Sequence, residues 1–257
     1  ELELRAVSAS LTLPLDGSAA SETVRSLPAG FVGLGGSRGL VFGYLNDPDS
    51  SALQEFRIID EQTSEVVASM PALGWFLSTD RLQVGDDYLG VVRGGVPQPL
   101  LVRFNAATRS ITTLPLPGLP QGMGSNTLVG AGEGWLAFYR SWLNEEEKLL
   151  LLSPETGELM SVVRMGRETF STLNNPFAAG ADHQFLQTAS GVRAFNIRDG
   201  SSKIVGAGGT EVIKHPIALA ASGQDLWIYG NSPSEAFSPM ELQQWRIDAT
   251  GEWRLSF

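Results

Sequence analysis

The chain has 257 residues, a formal net charge of −10 at neutral pH and a sequence isoelectric point near 4.7. A phosphate-binding surface needs clustered Lys and Arg, which this acidic sequence lacks, so nucleic acid is excluded as a predicted partner. Cysteine is absent, which excludes disulfides, thiolate metal sites, iron–sulfur clusters and a cysteine nucleophile. The acidic balance is typical of a soluble protein, and it favours a basic partner over an acidic one.

The apolar content is ample for a packed core, and the 29 glycines and 14 prolines indicate many turns. No apolar run reaches the length of a membrane-spanning helix, so no transmembrane segment is predicted. The sequence begins at Glu1 without Met or a signal-like segment, as a mature exported protein or a shortened chain would. We therefore predict a periplasmic or extracellular location.

The first 15 residues resemble half of a repeat found later in the chain. Leu4 and Leu11 are seven residues apart, which is the spacing of the outer hairpin described below. Residues 1–15 are therefore predicted to form the outer hairpin of a partial blade. A short helix is predicted only in the segment that follows, near Ala19 to Ser26.

A hairpin pattern recurs five times along the rest of the chain. An apolar residue precedes a polar turn, and apolar residues follow the turn about seven positions later, as in "LSPETGEL". The leading apolar residues are Ile59, Phe104, Leu152, Phe195 and Ile247. Asp, Asn or Ser at the next position is expected to accept hydrogen bonds from backbone amides of the turn, and a later Gly favours a left-handed backbone.

A second hairpin precedes each of these copies. It consists of a strand rich in small residues, a tight polar turn and a bulkier apolar strand, as in "LVGAGEGWLAFYR". The equivalent positions are Leu40, Leu89, Leu136, Phe185 and Trp227. Small residues suit an innermost strand, because strands crowd together around a central axis.

Two hairpins in each repeat of roughly 40–50 residues predict an all-β fold, a β-propeller with four antiparallel strands in each blade. An ordinary β-sandwich is the competing interpretation. The predicted propeller is a single domain, residues 1–257, with complete blades at residues 30–71, 72–118, 119–165, 166–207 and 208–257.

The blade count is five or six, depending on the N-terminal hairpin. This hairpin is interpreted as part of a sixth blade whose inner strands are missing, or as an addition to the edge of the last blade. In a third interpretation, a partner chain supplies the missing strands by pairing with an exposed edge.

The turns "IDATGEW" (Ile247 to Trp253) and "SPETGEL" (Ser153 to Leu159) resemble the blade repeats of quinoprotein-like bacterial propellers. The resemblance implies a propeller fold, and members of that group include quinone-dependent dehydrogenases and non-enzymatic assembly scaffolds. The Trp that is typical of such repeats is present in one copy, at Trp253. The equivalent positions of other copies hold Val66, Ile111 and Leu159. No quinone or other organic cofactor is therefore predicted.

The candidate binding residues lie in loops that a propeller places at one mouth of its central channel. They are Trp75, Arg93, Arg140, Trp142, Arg167, Asn174, Asn175 and His215. Trp142 lies in the polar segment "SWLNEEEK", and an exposed indole is costly unless it packs on a partner or a neighbouring blade. The rest of the set suits an anionic or sugar-like small molecule.

One weak metal site is predicted. Asp47 and Asp49 lie one residue apart in "LNDPDSS", as at the start of a calcium-binding loop, but the later Gly and Glu of such a loop are missing. A solvated turn is the competing interpretation. No nucleophile elbow, phosphate-binding loop or pair of histidines at zinc spacing is found.

These features predict a non-catalytic binding or scaffold propeller that recognises a protein partner through its rim loops or a blade edge. The alternative is a hydrolase, lyase or lactonase whose site at the channel mouth takes a sugar-like or anionic substrate. Whether the protein is an enzyme stays open at this point. Converging carboxylates or histidines would favour the enzyme, whereas an apolar surface patch with Trp would favour the scaffold.

Overall fold

A computed structural model describes residues 7–12, 21–46, 53–73, 75–94, 96–120, 125–141, 146–166, 177–188, 191–206, 213, 215–231 and 240–256. Within these residues the chain forms 22 β-strands and no helix. Twenty of the strands make five four-stranded antiparallel sheets, and the other two pair with each other. This architecture confirms the predicted all-β fold: the protein is a β-propeller with five blades.

The chain divides into two compact units, and the first is Glu1–Pro115. It contains an N-terminal hairpin of β1 (Val7–Thr12) and β2 (Ser21–Ser26). The first blade consists of β3 (Phe31–Ser37), β4 (Leu40–Asn46), β5 (Leu53–Asp60) and β6 (Val66–Pro71). The second consists of β7 (Trp75–Val84), β8 (Asp87–Gly94), β9 (Leu100–Asn105) and β10 (Ser110–Pro115).

The second unit, Leu116–Phe257, holds three blades. The third blade consists of β11 (Ser125–Gly132), β12 (Trp135–Ser141), β13 (Glu147–Leu152) and β14 (Leu159–Gly166). The fourth consists of β15 (Phe177–Ala179), β16 (His183–Thr188), β17 (Gly191–Asn196) and β18 (Ser202–Ile204). The fifth consists of β19 (His215–Ser222), β20 (Asp225–Asn231), β21 (Met240–Ile247) and β22 (Trp253–Leu255).

The predicted helix near Ala19 to Ser26 is wrong, because Ser21–Ser26 is the strand β2. This strand pairs with β1 along its whole length, from Val7 opposite Ser26 to Thr12 opposite Ser21. The pairing satisfies backbone groups between the two strands, and such tertiary context overrides the weak local helix preference of a six-residue segment. The strands β1 and β2 therefore form a two-stranded sheet separate from the five blades.

Apolar side chains fill the space between adjacent blades inside each unit. In the first unit, the rings of Phe42, Phe56, Tyr88 and Phe104 form an aromatic core between the first and second blades. In the second unit, one cluster joins the third and fourth blades and another joins the fourth and fifth. Burial of these faces is the main source of stability for both units.

A buried amide also connects the third and fourth blades. Gln184 is fully buried, and its Nε2 donates hydrogen bonds of 2.9 Å to the carbonyl oxygens of Val129 and Ala178. Val129 lies on β11 and Ala178 on β15, so one side chain bonds to the innermost strands of two blades. Such a buried polar contact fixes the relative position of the strands, since breaking it would leave unsatisfied groups.

The five outer turns confirm the predicted turn chemistry. In each, the first polar side chain accepts a hydrogen bond of 2.7–3.1 Å from a backbone amide two or three residues further on. The accepting residues are Asp60, Asn105, Ser153, Asn196 and Asp248. Hydrogen bonds from the Thr63 and Gln62 amides lower the pKa of Asp60 below its ordinary value, because they favour the carboxylate form.

The left-handed residue of these turns differs between blades. Gly157, Gly200 and Gly251 occupy it with φ of 69°, 71° and 78°, whereas Ser64 and Arg109 occupy it in the first two blades with φ of 59° and 52°. A side chain with a Cβ atom is strained in this region, and glycine is not. Two of the five turns therefore carry a small conformational cost.

Replacing Arg109 with glycine is expected to stabilise the protein by about 0.5–1 kcal/mol, because glycine relieves the left-handed strain. The larger entropy of glycine in the unfolded chain offsets part of this gain. Gly200→Ala is the matched control, since a Cβ at Gly200 would meet no atom within 4 Å and its effect reports φ alone. This control is expected to destabilise the protein by a similar amount. Urea denaturation measures both, and an unchanged or lower midpoint for Arg109→Gly would refute the strain.

Candidate functional site

Within the second unit, the fifth blade packs against another blade on one face only. The central strands of the second and third blades are buried continuously, through Tyr88 to Val92 in β8 and Trp135 to Tyr139 in β12. In β20, by contrast, burial alternates: Leu226 and Ile228 are fully buried, whereas Tyr229 is 42% exposed. Strands covered on both sides are buried throughout, and an alternating strand has one open side.

The strand register places a row of apolar side chains on this open side. Ala218 of β19 lies opposite Tyr229 of β20, which lies opposite Leu242 of β21, and directly paired residues share a face. The neighbouring row joins Ala220 to Trp227 and Gln244. The open face of the fifth blade is defined here as Ala218, Ala220, Trp227, Tyr229, Met240 and Leu242.

The exposure of these side chains is substantial. Leu242 is 50% exposed and Met240 40%, and Ala218 and Ala220 of β19 are also exposed. Ile217, in the bulge of β19 beside the row, is 62% exposed. A contiguous apolar patch of this kind is unusual on a soluble surface and is typical of sites that contact other proteins.

The opposite face of the blade is rigidly held. Leu226, Ile228 and Trp245 pack with residues of the fourth blade in one apolar cluster. The buried Gln243 accepts hydrogen bonds at its Oε1 from the Trp245 indole, at 3.2 Å, and from the Ile213 amide, at 3.3 Å. The open face is therefore a preformed surface, which lowers the entropic cost of binding.

An ion pair borders the open face. Arg246 Nη2 donates to Asp225 Oδ2 at 2.7 Å, and its Nε donates to Oδ1, in a two-pronged contact between directly paired residues. The guanidinium holds the pKa of Asp225 below its ordinary value, and the Asp225 carboxylate raises the pKa of Arg246. An apolar centre with a charged rim is the usual anatomy of a protein interface.

The structure brings two of the predicted rim residues to one end of the second blade. Trp75 begins β7 and pairs with Gly94, which directly follows Arg93 at the end of β8. In the third blade, Arg140 Nη1 donates to Asn126 Oδ1 at 3.1 Å, and in the fifth His215 pairs with Asn231. The other predicted rim residues, Trp142, Arg167, Asn174 and Asn175, lie outside the described residues. The channel-mouth site stays a prediction.

The predicted metal-binding residues Asp47 and Asp49 also lie outside the described part of the chain, so a calcium site there stays a prediction. In the ranges that are described, no group of three or more His, Asp or Glu side chains is placed to hold a metal ion. The same ranges contain no helix that is long and apolar enough to cross a membrane.

Sequence reasoning missed the open face. Apolar residues occur on both sides of the strands of the fifth blade, "ALAAS", "DLWIYGN" and "MELQQWRI". The strands of a blade that is covered on both faces have the same pattern. Apolar alternation predicts a strand but does not tell which side another element covers. The polar signal on the open side of β21 is limited to Gln244, which lies opposite Trp227, because Glu241 and Gln243 alternate onto the opposite face.

Comparisons with known proteins agree with the fold. No protein-family model matches the sequence, and no curated protein is significantly similar to it. Among solved structures, apo AztD from Citrobacter koseri matches 97% of this chain with a TM-score of 0.52 at 16% identity. TolB from Acinetobacter baumannii matches 84% with a TM-score of 0.45 at 14% identity.

The chain spans 66% of the AztD chain and 52% of the TolB chain, so both solved proteins are longer. Both are β-propeller proteins. At such low identity the likeness to AztD concerns the fold alone. Together with the five four-stranded sheets, it shows that this chain is a β-propeller protein.

Proposed function

We propose that the protein is a non-catalytic binding propeller, exported to the periplasm or the extracellular space, that recognises a basic polypeptide through the open face of the fifth blade. The observation that carries this proposal is the one-sided burial of β20, which leaves Tyr229 and Leu242 exposed in register. A propeller blade normally packs another sheet on each face. The partner therefore presents an apolar β-hairpin or sheet.

The shape of the open face supports a sheet as its occupant. Ala218 and Ala220 lie on the first strand, so a partner strand can approach closely there, and Tyr229 and Leu242 offer larger contacts on the next two strands. Sheets pack face to face with interdigitating side chains at about 10 Å. Large aromatic side chains such as Tyr and Trp often supply most of the binding energy in such contacts.

The charge of the molecule supports a basic partner. Two copies of a chain with a net charge of −10 repel each other, whereas a basic polypeptide is steered towards it. The open face itself includes no Asp or Glu among its six defining residues, so the attraction comes from the field of the whole surface. Association is therefore expected to weaken as the ionic strength rises.

Native mass spectrometry of the protein isolated from its source tests the proposal. We expect a one-to-one complex with a basic polypeptide, and hydrogen exchange in that complex should protect β19, β20 and β21. The double variant Tyr229→Ser/Leu242→Ser is expected to abolish the complex with little change in melting temperature, since both side chains are half exposed. Subcellular fractionation tests export.

The matched control is Met160→Ser/Val162→Ser, which removes two exposed apolar side chains from the outer strand of the third blade. It should leave the complex intact. If this control abolishes binding and the β20/β21 variant does not, the partner uses the edge of β14 instead. A homodimer, a lone chain or protection confined to another blade would each overturn the assignment of the open face to a basic partner.

A further inference from the structure

A cleft of about 250 Å³ opens between the outer hairpins of the fourth and fifth blades, both of which belong to the second unit. His183, Ala194, Asp199 and Ser202 line it on one side, and Trp253 closes it on the other. The cleft is separate from the open face, because none of its lining residues belongs to that surface. Its size suits one small molecule or one unit of a larger one.

The cleft exists because the fourth blade has a small residue at one strand position. Ala194 lies two residues before the turn residue Asn196, and the equivalent positions in the first and third blades hold Ile58 and Leu151. Those larger side chains are buried in the core clusters of their blades. Alanine at this position leaves the space that the cleft occupies.

The aromatic side of the cleft is preformed. The His183 ring lies edge-on to Trp253, with ring centres 5.7 Å apart and an angle of 84°, and it stacks on Phe185 at 6.0 Å. Phe185 also meets Trp253 edge to face at 5.2 Å. These three rings hold one another in place, so a ligand meets an apolar wall that needs no rearrangement.

The polar rim is also fixed. Lys203 Nζ donates to the Gly251 carbonyl and to Glu252 Oε1, each at 2.8 Å, and these bonds connect the two hairpins. The Ser201 amide donates to Asp199 Oδ1 at 2.8 Å. The Ser201 hydroxyl and amide hold the pKa of Asp199 below its ordinary value, so this carboxylate is a hydrogen-bond acceptor at neutral pH.

The charges around the cleft select against an anionic ligand. The cations Arg198 and Lys203 are each paired with a carboxylate, Asp182 and Glu252 respectively. Burial lowers the pKa of His183, against the opposing effect of Asp182 and Asp199, so the imidazole is neutral at pH 7 and both donates and accepts hydrogen bonds. Three carboxylates and two cations leave the site slightly negative.

We propose that this cleft binds a neutral hexose unit, either a free monosaccharide or the end of a glycan. The apolar ring side of such a sugar packs on the wall formed by Trp253 and His183. Its hydroxyl groups donate to the Asp199 carboxylate and exchange hydrogen bonds with the Ser202 hydroxyl and the His183 imidazole. The wall supplies the hydrophobic part of the affinity and the rim supplies orientation.

Titration with two sugars of the same ring and different charge tests the proposal, with the indole N–H resonance of Trp253 as the readout. D-Glucose is expected to shift this resonance with saturation below about 50 mM, in the millimolar range suited to so small a ligand. D-Glucuronate, which is anionic, should bind more weakly, because carboxylates outnumber cations around the cleft. Cellobiose distinguishes a free monosaccharide from the end of a glycan as the ligand. If cellobiose binds as tightly as D-glucose or more tightly, the natural ligand is the end of a glycan.

Two variants and two controls complete the experiment. Ala194→Leu fills the cleft and Asp199→Asn weakens its acceptor, and each should raise the Kd for D-glucose about tenfold or more. If Ala194→Leu does not fold, Asp199→Asn still provides the test. Asp86→Asn, in the first unit, and the β20/β21 variant described above should bind D-glucose normally, which separates this proposal from the function proposed for the open face.

Three results would overturn the hexose site. These are the absence of any Trp253 shift with neutral sugars, tighter binding of glucuronate than of glucose, and unchanged binding by folded Ala194→Leu together with Asp199→Asn. A glucose-dependent shift that both variants reduce, in a protein of unchanged melting temperature, would support it.

Discussion

Phe104→Ala is expected to lower the free energy of unfolding by about 3–5 kcal/mol, the range typical of removing a fully buried phenylalanine. The Phe104 ring is completely buried at the centre of the first unit. It stacks on Phe42 at 5.9 Å and meets Phe56 and Tyr88 edge to face, each at 6.0 Å. Alanine would leave a cavity bordered by three rings that belong to two blades and cannot easily collapse together.

Urea denaturation followed by hydrogen exchange measures this effect and its location. Loss of amide protection is expected in β4, β5 and β8, which carry the three neighbouring rings. Phe104→Leu is the control, and it should cost less than about 2 kcal/mol because most of the volume is kept. A loss below about 1 kcal/mol for Phe104→Ala would show that this ring is not central to the core.

The second large effect is expected for Gly43→Ala, which should destabilise the protein by about 2–3 kcal/mol or prevent folding of the first blade. A Cβ at Gly43 would lie 2.2 Å from the backbone oxygen of Val32 and 2.5 Å from the Phe31 ring. Val32 belongs to the adjacent strand β3, and Phe31 is buried, so neither group can move without disturbing the ladder between β3 and β4.

Gly39→Ala is the matched control for Gly43→Ala. Gly39 has a φ of 72° and a Cβ there would meet no atom within 4 Å, so its substitution tests backbone strain without a clash. This control is expected to cost about 1 kcal/mol. Thermal denaturation of the two variants compares the effects, and equal losses would show that the close approach at Gly43 is relieved by small backbone shifts.

The fold was predictable from the sequence because its strongest signals are local. The side chains of the turn residues Asp60 and Asp248 accept hydrogen bonds from amides no more than four residues further along the chain. The same short pattern therefore recurs wherever an outer hairpin closes. Repetition of that pattern then predicts the blade architecture. The helix predicted near Ala19 to Ser26 failed for the opposite reason, since β2 depends on a partner strand about fifteen residues away.

The candidate binding sites were not predictable in the same way. Tyr229 and Ile228 are neighbours with similar apolar character, and only the packing of the fourth blade decides that one is buried and the other exposed. The cleft at Trp253 depends on the absence of a large side chain at Ala194, in a different blade. The channel-mouth site with Arg93 and His215, inferred from loop positions, stays a prediction.

The self-contained outer turns have a consequence for how such a protein changes over evolutionary time. Each turn is closed by its own side chain, so a duplicated blade arrives with a working turn and needs no adjustment elsewhere. Selection can then alter the strand faces of single copies, as at Ala194 and Trp253, while the turns preserve the chain path. Turns exchanged between blades, for example 153–157 for 60–64, should therefore be accepted as modular parts.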